Sequence, residues 1–172
     1  MRICVMSDSH EHVDNIRAVF NATLKDKADY YVHLGDDYSD TEGFRFHLRV
    51  PGVYDEEYAM RGLKHRIVHN FDRIKALITH TERSHVNDFP SDLKPEDMIA
   101  NKKIDLVFYG HTHEYAIKQE NGVVLVNPGH LKTTDKKGFQ PTYALLDIEE
   151  RHIRIRIVGL NGEVRLEKEF QL

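Results

Sequence analysis

Near its N-terminus the chain passes from an apolar run to a helical repeat and back to an apolar run, and this order constrains the fold more than any other feature. Residues 3–6 are apolar and partly β-branched, as a buried strand is. From Val13 the apolar positions Val13, Ile16, Val19, Phe20 and Leu24 recur at helical spacing, which predicts an amphipathic helix over 13–25. Residues 30–34 read as a second strand. Strand, helix and strand in so short a span form a βαβ unit, so the two strands are parallel and their C-terminal ends lie on one sheet edge. Both strands run into polar loops, Ser7-Asp8-Ser9-His10 and Gly35-Asp36-Asp37, and Asp8, His10 and Asp36 are expected to converge.

Further strands are expected at 63–71 and 73–79, joined through Asn70-Phe71-Asp72, and at 106–109. Residues 44–50 are a candidate strand, and acids ahead of Met98-Ile99-Ala100 point to a helix within 90–103. Asn121-Gly122 between 114–119 and 123–126 is a strong hairpin signal. Strands at 142–148, 152–158 and 164–170 follow, and the alternation Ile153-Arg154-Ile155-Arg156-Ile157 suits an antiparallel strand with one wet face. Together these predict one α/β domain over 1–172, half parallel and half antiparallel.

A chain of 172 residues buries a core without a disulfide or metal staple, so a metal here would serve chemistry. With Cys4 as the sole cysteine, an intrachain disulfide, a thiolate zinc cluster and a CxxC redox pair are all excluded. A formal charge of -4 disfavours nonspecific nucleic-acid binding. With neither a secretory h-region nor an apolar run of membrane-spanning length, the expected setting is the cytoplasm, with no membrane partner.

Histidine is abundant, with twelve in the chain. Several strands end in a loop able to hold a metal: Asp8-Ser9-His10, Gly35-Asp36-Asp37, Thr79-His80 and Gly110-His111-Thr112-His113. Taken singly, each has an ordinary explanation. An Asp-x-His loop or a glycine followed by an acid is commonly a cap or turn, and a lone histidine is usually structural. Brought to one sheet edge they form a mixed oxygen and nitrogen set suited to Mn, Fe, Zn or Ni rather than Ca or Mg. The set is too rich for one ion, and a carboxylate between two clusters can bridge a metal pair of the kind that serves displacement at phosphorus. Histidines 12, 33, 47, 65, 69, 85 and 152 are given no role beyond solvation or structural hydrogen bonding.

The ordered set Asp8-x-His10, Gly35-Asp36, His80, Gly110-His111-x-His113 and Asn127-Pro128-Gly129 resembles the calcineurin-like metallophosphoesterase superfamily, nearest in pattern to small phosphodiesterases of the YfcE type. The resemblance spans 2–147. It implies a four-layer sandwich of two mixed β-sheets flanked by helices, with a dinuclear site at the strand ends. By position, Asp8, His10 and His113 would hold one metal, Asp36 would bridge, and His80 with His111 would hold the other. The implied cofactors are two divalent ions, manganese first, with iron, zinc or nickel as alternatives. The implied reaction is hydrolysis of a small phosphate ester by hydroxide on the metals. Two departures stand out. Gly52-Val53-Tyr54-Asp55 falls where the family has Gly-Asn, and valine supplies no oxygen, so the second metal should bind more weakly. Thr81-Glu82 follows His80 where the family has Gly-His. Asp55, Glu82 and His130, the last standing where a small residue is usual, are candidate substrate-proximal residues. The alternative is a metal-binding or partner-binding module without turnover.

Overall fold

In the computed structural model, which describes every residue except 61, two β-sheets stack face to face. The six-stranded sheet has the order β11-β10-β9-β1-β2-β3, from β1 (Arg2–Met6), β2 (Tyr30–His33), β3 (Leu48–Arg49), β9 (Thr142–Glu149), β10 (His152–Gly159) and β11 (Val164–Gln171). The five-stranded sheet runs β4-β5-β6-β8-β7, from β4 (Arg66–Phe71), β5 (Ile74–Thr79), β6 (Leu106–Phe108), β7 (Ala116–Glu120) and β8 (Val123–Asn127). Both are mixed. β1 pairs parallel to β2 and antiparallel to β9, while β5, β6 and β8 are parallel and β4 and β7 antiparallel to their neighbours.

Alternation along the strands sorts side chains into three apolar layers. Between the sheets, Ile3 and Val5 of β1 and Ile153, Ile155 and Ile157 of β10 share one cluster with Ile74, Ala76 and Ile78 of β5 and Phe108 of β6. On the outer side of the first sheet, Cys4 and Met6 pack against Ile16 and Val19 of α1 (Val13–Ala22). Outside the second sheet, Leu77, Val107 and Leu125 pack against Met98 and Ile99 of α2 (Pro95–Ala100). Helix, sheet, sheet, helix are the four layers the resemblance implied.

Several boundaries differ from the sequence reading, and four of the larger differences have local origins. α1 stops at Ala22, after which the Leu24 N–H bonds Asn21 O three residues back and Leu24 is left 69% exposed. Of 44–50 only Leu48–Arg49 joins the ladder, since Phe44 and Phe46 pack their rings on Phe20 of α1 instead. α2 (six residues) begins at Pro95, because proline disfavours helical backbone just before it. β4 starts at Arg66, where its pairing with Thr79 begins. The Asn121-Gly122 turn forms as expected, with positive φ at both residues. Among the described residues no helix is long and apolar enough to cross a membrane.

The parallel strands β1, β2, β5, β6 and β8 deliver their C-terminal loops to one seam between the sheets. Asp8 N–H donates to Gly35 O (2.8 Å), Gly110 N–H to His80 O (2.9 Å) and Leu131 N–H to Asp8 O (3.1 Å). Phe108 is fully buried in the layer between the sheets, its ring 6.1 Å from that of Phe71. Phe108→Ala is expected to lower unfolding stability by about 3–5 kcal/mol in urea titration. Val164→Ala, on exposed β11, is expected to change it by less than about 0.5 kcal/mol.

Candidate metal centre

The loops leaving the strands carry their polar residues in backbone conformations that few side chains adopt. Asp8, His10, Asp36, His111 and His113 all have positive φ, between 45° and 68°. Such residues cost on the order of 1–3 kcal/mol each and persist where their surroundings hold them. Two glycines let the loops close on one another. A Cβ on Gly52 would lie 1.7 Å from Asp36 Oδ1, and one on Gly110 would lie 2.0 Å from Ser7 Oγ and 2.6 Å from Asp8 Oδ2.

The six residues gather into two groups. Asp8, His10 and His113 form one, Asp36, His80 and His111 the other, and within each group one donor atom per residue lies within 4.8 Å of the others. His10 Nε2 is 3.1 Å from His113 Nε2, and His113 Nε2 is 3.4 Å from Asp8 Oδ1. In the second group His80 Nε2 is 3.2 Å from His111 Nδ1 and 3.4 Å from Asp36 Oδ2. Asp36 Oδ2 is also 3.8 Å from His10 Nε2, so this carboxylate faces both groups. Donors bound at about 2.1 Å to one ion are separated by roughly 3–3.5 Å, and the four distances just given within the groups, 3.1–3.4 Å, fall in that range. Among the described residues the buried Asp36 Oδ1 has no hydrogen-bond partner, an acceptor left beside the donors. The donor set fits divalent transition-metal ions.

Neighbouring groups fix which nitrogen each imidazole presents. His80 Nδ1–H donates to Leu34 O at 2.7 Å, leaving Nε2 toward Asp36. His113 Nδ1–H donates to Asp135 Oδ1 at 2.7 Å, leaving Nε2 toward Asp8 and His10. Contacts of this kind orient histidines in proteins where they ligate a metal. Asp8 accepts from the His111 N–H and the Ser7 hydroxyl. His33, fully buried, accepts the Gly35 N–H at Nδ1 and places Nε2 3.3 Å from Ser9 Oγ, so it ties the first two loops together.

The charges are strongly coupled. Burial works to raise Asp36, but the His80 hydrogen bond and the neighbouring imidazoles hold it down at about 2. Burial works to lower His80, but its bond to Asp36 and the charges of Asp8 and Asp36 lift it to about 9. Burial above all pushes His33 down to about 4 and keeps it neutral as a structural group.

The three further candidates lie differently. Asp55 Oδ2 accepts the N–H groups of Gly52 and Tyr38 and so shapes the Gly52 turn, and burial pushes its carboxyl up to about 6. His130 stands with its ring 5.3 Å from that of His113, but both its nitrogens are engaged, by Lys132 N–H and by Phe139 O. Glu82 is not brought to the cluster. The chain turns at Thr81, whose hydroxyl donates to Arg83 O, and the Glu82 carboxylate pairs with Lys118 Nζ of β7 at 2.8 Å. Val53 is buried, with its carbonyl accepting from Asn87 Nδ2. Asp135 has no counterpart among the residues expected from the sequence, because it lies in a polar loop that no strand signal leads into.

The family model for the calcineurin-like phosphoesterase superfamily domain matches residues 1–151. A phosphodiesterase of Methanocaldococcus jannaschii is 25% identical over 181 residues, spanning 90% of this chain and 97% of that protein. A predicted phosphoesterase of Streptococcus pneumoniae has a similar structure, with TM-score 0.74 and 24% identity over 99% of this chain and 97% of that one. Vps29 of Entamoeba histolytica, in complex with zinc, is similar at TM-score 0.65 and 20% identity, over 99% of this chain and 98% of that one.

A cation taken up by Asp36, His80 and His111 has to displace the His80 proton at any pH below about 9. Its observed association constant is therefore expected to rise about tenfold per pH unit between about pH 6 and 8 and to level off above about 9. Manganese titrations at a series of pH values check this, and a flat profile would contradict it.

Proposed function

This chain belongs to the calcineurin-like phosphoesterase superfamily, and we propose that it is a metal-dependent phosphodiesterase acting on a small phosphate ester. The observation that carries this reading is the pair of donor groups facing the shared carboxylate of Asp36. In the proposal Asp8, His10 and His113 hold one divalent ion, His80 and His111 the other, and Asp36 bridges. Manganese is the first choice of metal. When bound, such a pair of ions neutralises charge that develops on the phosphoryl group.

The chain's own residues would prepare that site. Leu34 O and Asp135 hold the ring protons of His80 and His113 on Nδ1, which leaves each Nε2 lone pair for a metal. Asp55 and Gly52 hold the loop against Asp36, and His130 backs His113. Val53 offers no side-chain oxygen, so the second ion is proposed to bind more weakly than the first. The proposed setting is the cytoplasm, consistent with a single, buried cysteine.

The rival reading is a metal-binding or interaction module without turnover. Val53 and Glu82, which pairs with Lys118 rather than reaching the cluster, favour it, as both departures fall on the side of the second ion.

Hydrolysis of bis-p-nitrophenyl phosphate with added manganese, against a chelator control, separates the two. The parent is expected to turn over only with metal, and Asp36→Asn to lower kcat by about 10²–10³-fold while losing bound metal. A parent that binds manganese tightly yet hydrolyses no diester would favour the module.

A further inference from the structure

Beside the second donor group stand two side chains that neither the core nor the proposed ligand set uses. Tyr54 follows the buried Val53 and is 70% exposed. Its ring lies edge-on to His85, with centroids 5.4 Å apart and planes at 86°, and 6.2 Å from the ring of His111. The His85 ring is itself 5.9 Å from that of His111. A lone exposed tyrosine needs no explanation. This one is flanked by two imidazoles, one of them in the donor group.

The loop behind it is braced. His85 Nδ1 accepts the Asn87 N–H, which leaves Nε2–H facing the Tyr54 hydroxyl at 3.4 Å. The His85 N–H donates to Asp88, whose carboxylate is also held by Arg66 at 2.6 Å and by Tyr58 at 2.7 Å. Asn87 Nδ2 returns to Val53 O at 2.9 Å, tying this loop to the one that carries Tyr54. An aromatic face held in place in advance loses little freedom on binding and favours flat partners.

We propose that Tyr54, positioned by His85, is the recognition face for a planar aromatic group joined to the substrate phosphorus through an ester oxygen, so that the substrate class is an aryl phosphodiester. This rests on the phosphodiesterase reading, because the flat group is placed by a phosphoryl group at the donor cluster. Aliphatic esters of the same charge gain no stacking there.

Calorimetric titration of the manganese-loaded protein with phenylphosphonate and with methylphosphonate tests the idea without turnover. The parent is expected to bind phenylphosphonate about tenfold more tightly. Tyr54→Ala should bring the two within about twofold while leaving methylphosphonate affinity unchanged, and Tyr54→Phe should keep the preference. His85→Ala should narrow the preference, again without changing methylphosphonate affinity. Equal binding of the two phosphonates by the parent would overturn the aromatic face and leave the phosphodiesterase reading standing. Binding of neither would overturn the aromatic face, and hydrolysis of bis-p-nitrophenyl phosphate with manganese then decides the phosphodiesterase reading on its own. A preference that survives Tyr54→Ala, or a Tyr54→Ala that weakens both ligands alike, would also overturn the proposal.

Discussion

Two carboxylates, Asp8 and Asp36, are both buried at the seam between the sheets, and the charge of Asp36 disfavours that of Asp8. Taking like charges out of water is costly unless positive charge is brought between them. Four imidazoles face this pair, and the coupling is strong enough to hold Asp36 at about 2 and His80 at about 9. The loops of the first sheet supply both carboxylates and His10, while those of the second supply His80, His111 and His113. The cluster therefore exists only while the two sheets are packed, and the layer of Ile3, Val5, Ile78 and Phe108 between them is what sets its geometry.

The strained loop backbone follows from the same demand. Strands end where their ladders end, and the next residues must turn sharply to aim short side chains back at the seam. Positive φ at Asp8, His10, Asp36, His111 and His113 does this, and contacts such as Gly35 N–H to His33 Nδ1 hold the turns. Gly52 and Gly110 are required because the oxygens of Asp36 and Asp8 occupy the space a Cβ would take.

What could be read from the sequence was whatever strand periodicity controls. Apolar runs that stop at Ser7, Gly35, His80 and Gly110 announce both the parallel strands and the residues at their ends. Residues whose place depends on loop packing could not be read this way. Asp135 reaches His113 from a loop whose composition is simply polar, and His33 is a strand residue whose ring happens to face two loops. Glu82 went the other way, because a turn at Thr81 sends it to Lys118. Phe44 and Phe46 looked like strand residues, but an available aromatic partner in Phe20 outweighed ladder pairing.

Asp36 Oδ2 faces both donor groups at once. Electron paramagnetic resonance of the protein titrated with manganese tests this most directly, since two ions sharing a carboxylate are magnetically coupled. A coupled manganese pair is expected at saturation and is expected to be lost in Asp36→Asn. A spectrum of isolated ions at every loading, or saturation at one ion per chain, would contradict it.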